Sequence, residues 1–289
     1  VSGAFFPNIS PRSYRTTELA KELARQGHDV TVIIPSTGID YLSFENEHRV
    51  KIKSIGALRC KDIELKGGKI EVILRRIIKR ILKMLIEWPD IELAFRVKKV
   101  LQTEISYDIL ISIAVPYPIH WGVAGAIGIK REITKCWIAD CGDPYMGDTT
   151  DSFRKLFYFK YVEKWFCRRA NYITVPFEGA LDAYYPEFHN KIKVIPQGFP
   201  LDGLSLPEYK KDNDHPIFAY AGGFIPGKRD PGQMFEFLVD WKKDFRFIVF
   251  TSQEGMLADV RDRLGCKLEI KPFIPRAELL EILSGMDFL

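Results

Sequence analysis

The sequence predicts an α/β fold made of two doubly wound, Rossmann-like sheets that face a cleft. Three observations carry this prediction: short apolar strands alternate with amphipathic helices, the alternation restarts after an irregular segment, and a glycine-rich basic loop follows the first strand of the second run. Such alternation is typical of parallel sheets covered by helices on both faces. We expect the second sheet to be incomplete, because the chain holds only about half of the strands that a doubly wound sheet needs.

The first domain is predicted over 1–200, a linker over 201–216 and the second domain over 217–289. Helices are assigned where apolar residues recur at helical spacing, and strands where short apolar runs stand between turn residues. In the first domain the predicted strands are 1–6, 29–35, 50–55, 107–113, 135–139, 172–176 and 192–196, and the helices are 13–26, 69–84, 91–101, 121–129, 152–168 and 178–185. In the second domain the strands are 217–221, 245–250 and 267–271, with another from 287, and the helices are 232–241, 256–264 and 277–284.

Particular residues set these boundaries. Gly27 ends the first helix, and Pro116 with Pro118 ends the strand at 107–113. The linker is assigned because 201–216 mixes proline, glycine and charged residues without any period.

The composition describes an ordinary globular protein. Its 289 residues are 46% apolar and 28% charged, and the net charge of +4 is too small to indicate nucleic acid as a partner. The five cysteines form no CxxC pair, so neither a disulfide framework nor a zinc site is indicated. Since we find no apolar run of membrane-spanning length and no secretory leader, we expect a cytoplasmic protein.

The turn between the first strand and the first helix is a candidate ligand loop. It lies at the carboxyl end of the first strand, where a doubly wound sheet places its ligands. Ser10 and Arg12 are therefore candidate contacts for an acceptor or a phosphate group. For Arg12 and Arg15, ordinary surface charge is the favoured interpretation, and an anion contact is the alternative.

A basic amphipathic helix is predicted over 69–84. Its apolar stripe consists of Ile70, Ile73, Leu74, Ile77, Ile78, Ile81 and Leu82, and the basic residues on much of the opposite side are Arg75, Arg76, Lys79, Arg80 and Lys83. Such a helix fits an anionic membrane surface, here the inner face of the cell membrane, or an acidic partner. The alternative is a helix whose apolar stripe faces the sheet and whose basic face meets water.

Two carboxylates follow the strand predicted at 135–139. Asp140 and Asp143 stand in a loop with glycine and proline at the end of a parallel strand, which is a common position for ligand-binding or catalytic residues. The alternative for Asp143 is a turn cap before Pro144.

The helix predicted over 152–168 is rich in aromatic residues. They recur at helical spacing, which favours a place in the core. These residues are Phe153, Phe157, Tyr161 and Trp165. Glu163 and Lys164 are expected on the wetter side of the helix.

The loop after the first strand of the second domain is a candidate phosphate site. Gly222 and Gly223 let the backbone approach a bulky anion, and the helix that follows offers free amides at its N-terminus. Lys228 and Arg229 add two positive charges nearby. The alternative is a solvated turn between strand and helix.

Five segments together resemble one known family. They are the run 19–33 with its Gly27-His28-Asp29 turn, the loop with Asp140 and Asp143, the sequences 170–176 and 194–198, and the loop 222–228. They occur in the order seen in the GT-B-fold, retaining glycosyltransferases of family four. The resemblance covers nearly the whole chain.

This resemblance implies a glycosyltransferase whose first domain holds the acceptor and whose second domain holds a nucleotide-sugar. Transfer would occur in the cleft, with retention of configuration and without a bound metal or other cofactor. The donor would be a UDP-, GDP- or ADP-sugar. The acceptor would be a lipid-linked, polysaccharide or other glycan, as in the biosynthesis of cell-surface polysaccharides.

The resemblance also implies roles for residues on the donor side. Lys228 is similar to the lysine that meets the donor diphosphate. Arg229 would replace an arginine that many members have where this chain has Gly223. The segment that resembles the family's contact with the nucleotide base is Pro272, Phe273 and Ile274.

On the acceptor side, the resemblance places Asp140 and Asp143 at the loop that faces the sugar, as catalytic candidates. The first loop differs from the family pattern, since it has Ser10 and Arg12 in a place where a pair of glycines is common. The paired-glutamate region that holds the donor's ribose and sugar is expected beyond Leu289.

Other functions stay open at this point. One alternative is a sugar-nucleotide epimerase or hydrolase on a similar two-domain fold, and another is a non-catalytic binding module for membrane surfaces. A nicotinamide-dependent dehydrogenase is less favoured, because no G-x-G-x-x-G pattern follows the first strand.

Overall fold

The computed structural model describes residues 1–149, 154–198, 213–227 and 229–289. The chain divides into two compact units, Val1–Phe199 (unit 1) and Pro200–Leu289 (unit 2). Both contain parallel sheets with helices, which confirms the predicted α/β class. Most of the predicted linker, and Lys228, lie outside the described residues.

Helices and strands alternate through unit 1. Its helices are α1 (Pro11–Arg25), α2 (Leu42–His48), α3 (Lys69–Ile86), α4 (Ile91–Leu101), α5 (Pro118–Ile127) and α6 (Phe159–Arg169). Its strands are β1 (Val30–Ile34), β2 (Val50–Ser54), β3 (Tyr107–Ala114), β4 (Thr134–Cys141), β5 (Tyr172–Val175) and β6 (Ile192–Val194). Short 3-10 helices cover Arg131–Ile133, Glu178–Ala183 and Pro186–Lys191, so the helix predicted over 178–185 has the tighter form. The sequence pattern did not reveal α2.

Ser2 connects the two groups of paired strands in unit 1. β1 pairs with β2, and β3, β4, β5 and β6 pair in turn, all in parallel. The Ser2 amide donates to the Ile33 oxygen at 3.1 Å, and Ser2 also forms a parallel bridge with Ile113. The chain start therefore lies between β1 and β3, in the middle of a doubly wound order. Of the strand predicted over 1–6, only the bridge at Ser2 forms.

The core of unit 1 lies between its central strands and helices. Trp137 of β4 and Ile173 of β5 are fully buried, as are Ile119 of α5 and Phe166 of α6. Parallel strands covered on both faces are apolar throughout, which explains why the sequence located them well. Gly122 of α5 allows a close approach of α4, because a Cβ atom there would lie 2.7 Å from the backbone oxygen of Ala94.

The predicted core side of α6 is wrong for Phe157 and Tyr161, whereas Trp165 is half-buried and packs against the core. Phe153 lies outside the described residues. The helix begins at Phe159 and not near 152, so Phe157 and Tyr161 are 73% and 60% exposed, while Phe159 is buried. Glu163, expected on the wetter side, is fully buried. The aromatic spacing was assigned to a helix whose first turns do not form over the described residues 154–158.

The apolar stripe of α3 does not face the sheet, so the structure contradicts that alternative. Ile70, Ile73 and Ile77 are 75%, 55% and 49% exposed. No residue of α3, which lies entirely within the described part of the chain, has a buried side chain.

Unit 2 is a smaller parallel sheet. Its strands are β7 (Ile217–Ala221), β8 (Arg246–Phe250) and β9 (Leu268–Lys271), and its helices are α7 (Gly232–Asp240), α8 (Ala258–Leu264) and α9 (Arg276–Ser284). The strands pair in the order β7, β8, β9. Phe288 pairs with β7 on the other side, since its oxygen accepts from the Ala219 amide at 2.8 Å and its ring stacks on Phe218. The order of strands therefore switches at β7, since β8 and β9 follow on one side and the segment with Phe288 is added on the other.

The buried Glu163 predicts a pH-dependent stability. Burial raises its pKa from 4.5 to about 7, so folding favours the neutral carboxyl group. The stabilisation of that neutral form is complete below pH 4.5 and is lost as pH rises through 7. We expect Glu163→Gln, which cannot ionise, to gain about 3 kcal/mol of unfolding free energy over the wild type across this interval.

Urea unfolding of both proteins, near pH 4.5 and above pH 7, measures this gain. Glu178→Gln, at an exposed glutamate of the same unit, is the control and should show no such interval. An equal difference between wild type and Glu163→Gln at both pH values would contradict the prediction.

Candidate functional site

Asp140 lies near the carboxyl end of β4 and is buried in an ion pair. The residue is 3% exposed. Arg15 of α1 donates from Nε and Nη2 to its two carboxylate oxygens. Thr174 of β5 donates from Oγ1 to Asp140 Oδ1 at 2.6 Å. The carboxylate therefore ties α1, β4 and β5 together at one edge of the sheet.

Asp143 lies in the loop after β4, and its side chain is 62% exposed. Arg12, in the first turn of α1, donates from Nη2 to Asp143 Oδ2. The guanidinium lies against Gly142, where a Cβ atom would come within 2.6 Å of Arg12 Nη1. The hydroxyl of Tyr117 donates to the backbone oxygen of Asp143 and holds the loop from inside. This second ion pair is the part of the edge that a ligand can reach.

The interpretation of Arg12 and Arg15 as surface charges is wrong. Their side chains are 17% and 12% exposed, and each pairs with a carboxylate. Ser10, also a predicted contact, caps α1 by accepting from the Ser13 amide at 3.2 Å. The sequence did contain a signal for these pairs, because arginines after the first strand and aspartates after another strand meet at the carboxyl edge of a parallel sheet.

A second polar cluster lies behind this edge and is closed to ligands. The Ser112 hydroxyl hydrogen-bonds His120 Nδ1 at 2.7 Å, and Cys141 Sγ lies 3.5 Å from His120 Nε2. All three residues are at most 1% exposed. Burial lowers the pKa of His120 to about 3 and raises that of the Cys141 thiol, so both groups are neutral and serve packing.

In unit 2 the glycine loop follows β7, the strand at which the strand order switches sides. Strand order places β8 and β9 on one side of β7 and Phe288 on the other. The crevice beside such a reversal is where open α/β sheets bind ligands. The topology of unit 2 therefore puts the predicted phosphate loop at the favoured position.

The loop is held in a defined shape by its neighbours. Phe224 turns inward, is 6% exposed and stacks on Tyr220. Gln253, after β8, accepts from the Phe224 amide through Oε1 at 2.6 Å and donates from Nε2 to the Phe224 oxygen at 3.3 Å. Beyond Phe224, the amides and oxygens of Ile225 and Arg229 pair with each other, so the chain forms a small hairpin with Gly227 at positive φ.

The Asp230 carboxylate accepts from one amide of the loop and from the first amide of α7. Asp230 Oδ2 accepts from the Gly227 amide at 3.1 Å, and Oδ1 accepts from the Gly232 amide at 3.0 Å. These amides are oriented to bind an anion, and the N-terminal end of the helix adds positive potential. Asp230 was missed by sequence reasoning, although an aspartate before a helix start is a common capping signal.

The remaining predicted donor contacts lie at the same edge of unit 2. Arg229 is exposed in the hairpin, and Gly222 and Gly223 follow β7 directly. Pro272 and Phe273 are exposed and Ile274 is half-buried, all just after β9. Their roles, like that of Lys228 outside the described residues, stay predictions.

The five basic residues of α3 differ in their surroundings. Lys79 pairs with Asp62, and Arg75 Nη1 donates to the Glu64 oxygen at 3.2 Å. Arg76 and Lys83 are exposed, and Arg80 is half-buried. Among the described residues, we find no group of three His, Cys, Asp or Glu side chains that could hold a metal ion.

The sequence matches one protein-family model. Residues 13–202 match the model of Glycosyltransferase Family 4. This span is well over half of the chain and includes all of the unit 1 edge except its first turn. No curated protein sequence matches the chain at a significant level.

Solved structures share the fold at low identity. A lipopolysaccharide outer core galactosyltransferase WaaB in its apo form is 11% identical with a TM-score of 0.58, and 99% of this chain covers 71% of that chain. A glycosyltransferase from Rickettsia africae ESF-5 is 13% identical with a TM-score of 0.60, with 99% and 70% covered. Arabidopsis thaliana UGT89C1, complexed with UDP-L-rhamnose, is 11% identical with a TM-score of 0.52, with 100% and 77% covered.

The two arginines predict unequal losses of stability. Arg15→Met leaves the Asp140 carboxylate buried without its cation, which costs about 3–5 kcal/mol of unfolding free energy. Arg12→Met, the matched control, breaks a pair whose carboxylate is exposed and costs at most about 1 kcal/mol. Urea unfolding near neutral pH measures both values. Equal losses would show that the Asp140 pair is not the stronger constraint.

Proposed function

The chain belongs to glycosyltransferase family 4, and from this premise we propose that it transfers a sugar from a nucleoside diphosphate sugar to a glycan. We propose UDP-, GDP- or ADP-sugars as donors and a lipid-linked, polysaccharide or other glycan as acceptor, in the biosynthesis of cell-surface polysaccharides. We further propose that configuration is retained, that no metal is required, and that unit 2 holds the donor while unit 1 holds the acceptor.

The observation that carries the donor assignment is a pair of amides, one in the glycine-rich loop and one at the start of α7. The amides of Gly227 and Gly232 both donate to the carboxylate of Asp230. They belong to the glycine-rich segment that follows β7, the strand at which the strand order switches sides. A diphosphate presents the same kind of anionic oxygens and would compete for this position. The UDP-L-rhamnose bound by one similar structure supports a nucleotide-sugar as the ligand class.

The chemistry requires stabilisation of the leaving group. Negative charge develops on the diphosphate as its bond to the sugar breaks, so cations and amides fixed around it act most strongly in the transition state. Lys228 and Arg229 would supply the cations, and the loop after Gly222 the amides. These groups can act without a metal ion.

On the acceptor side we assign different roles to the two aspartates. Asp143 is exposed and can meet an acceptor or the transferred sugar, so it is the better catalytic candidate. Both carboxylate oxygens of Asp140 are engaged by Arg15, and one also by Thr174, which makes Asp140 a positioning residue for the first turn of α1. Arg12 and Ser10 in that turn would contact the acceptor or a phosphate group.

We predict that Lys228→Ala and Arg229→Ala each weaken donor binding and lower turnover. Losing one well-placed donor to a developing anion costs about 10²–10³ in rate. Thermal shift against a panel of UDP-, GDP- and ADP-sugars measures binding, because a ligand of the folded state raises the melting temperature by mass action. Lys242→Ala, at an exposed lysine after α7, is the control.

Unchanged binding and turnover in both loop variants would refute the phosphate assignment. Product analysis separates the alternative chemistry. A transferase releases nucleoside diphosphate in an acceptor-dependent manner, whereas an epimerase returns an altered nucleotide-sugar without any acceptor.

We predict that Asp143→Asn lowers kcat by about 10²-fold or more, in the range typical of acid–base groups, while the melting temperature falls by at most about 4 °C. Its exposure means that little folding energy depends on it. Asp182→Asn, at another exposed aspartate of unit 1, is the matched control. Full activity of Asp143→Asn would leave Asp143 with the role of a turn residue only.

A further inference from the structure

The outer face of α3 is a continuous apolar surface in contact with solvent. Eight large apolar residues of α3 are 43–75% exposed, whereas Leu82 of the predicted stripe is half-buried. The exposed residues are Ile70, Ile73, Leu74, Ile77, Ile78, Ile81, Leu85 and Ile86. Contiguous exposed apolar patches of this extent mark surfaces that are covered in the working protein.

One flank of the helix is already occupied by the protein. The segment 62–64 lies along this flank. Asp62 pairs with Lys79, and the backbone oxygen of Glu64 accepts a hydrogen bond from Arg75. This contact holds one side of the helix against the chain. The apolar residues Ile73, Ile77 and Ile81 remain exposed to solvent.

Three other basic residues of the helix are exposed to solvent. Lys69 and Arg76 are seven residues apart, which places them along one side of the helix, and both are exposed. Lys83 is exposed as well but lies near Asp62, where it adds to the lowering of that carboxyl's pKa by Lys79. Glu71, at the N-terminal end, is the single acidic residue among the 18 residues of α3. The charged residues that α3 itself contributes are therefore positive except for Glu71.

We propose that α3 docks unit 1 on an anionic lipid surface, with the apolar stripe inserted at the boundary between headgroups and acyl chains. An in-plane helix binds in this way when one face is apolar and the border is rich in lysine and arginine. Charge complementarity selects a lipid surface over a second copy of the chain, because two copies of this helix would bring their cations together. Within the described residues, no helix is long and apolar enough to cross a membrane.

The C-terminal end of α3 links this surface to the candidate site. Glu87, which caps the helix and is 5% exposed, accepts from the Tyr145 hydroxyl at 3.0 Å and pairs with Lys155. Tyr145 is itself 3% exposed and lies two residues after Asp143. Docking would therefore hold the Asp143 loop in a fixed relation to the lipid surface, which suits a lipid-linked acceptor.

The lipid contact goes beyond the proposed transferase function and is tested without it. Co-sedimentation of the protein with vesicles needs neither donor nor acceptor. Two compositions are compared, phosphatidylcholine alone and phosphatidylcholine mixed with phosphatidylglycerol. We expect association with the anionic vesicles only, and a steep decrease with added salt, because the attraction falls off within a Debye length of about 8 Å at physiological ionic strength.

Two variants separate the apolar and the charged contributions. Ile73→Ser, Ile77→Ser and Ile81→Ser together remove three side chains from the stripe and should reduce association on the order of a hundredfold. Lys69→Glu with Arg76→Glu should reduce it at least about tenfold. All five positions are exposed, so the fold should persist, and an unchanged melting temperature confirms it.

A matched control removes three exposed isoleucines elsewhere in unit 1. Ile105, Ile109 and Ile129 are 59%, 57% and 64% exposed, and their triple replacement by serine should leave vesicle association unchanged.

Three results would overturn the proposal. The first is a wild type that ignores anionic vesicles at low salt. The second is the loss of binding in the charge variant but not in the isoleucine triple variant, which would show a purely electrostatic contact. The third is a dimer, seen by sedimentation velocity without lipid, that the triple variant at 73, 77 and 81 abolishes.

Discussion

The buried ion pair between Asp140 and Arg15 is the constraint on which the unit 1 edge depends. A carboxylate at the end of a central strand is costly to bury, and only its guanidinium partner and the Thr174 hydroxyl make the position tolerable. The pair fixes the first turn of α1 against β4 and β5. With that turn fixed, Arg12 reaches the exposed Asp143 and creates the accessible part of the edge.

In both units the strand order switches sides at a central segment. In unit 1 the chain start lies between β1 and β3, and in unit 2 β7 lies between β8 and the segment with Phe288. Each central segment leads into a loop and then a helix N-terminus at the carboxyl edge. Sheet reversal opens a crevice at this point, which is why the candidate residues of both units gather there.

The surface helix α3 differs from other helices of unit 1 in the burial of its apolar residues. Other helices of unit 1, such as α4 and α5, bury apolar residues against neighbours, whereas α3 is held by polar contacts at one flank and at Glu87. Apolar surface left in water is unfavourable, so the proposed lipid contact would lower the free energy of this helix. The hydrogen bond between Glu87 and Tyr145 would connect such a lipid surface with the loop of the candidate site.

The sequence by itself determined the α/β class, most of the strands and the position of the β7 loop, because buried parallel strands are apolar runs bounded by glycine and proline. Only the tertiary structure decided which charged residues meet. Arg15 and Asp140 are 125 positions apart, and no local pattern distinguishes a buried pair from two surface charges. The same holds for Glu163, which is buried in the folded chain, and for the α3 stripe, which is exposed there. Periodicity reveals that a helix has an apolar face, but the long-range contacts of the folded chain determine what that face meets.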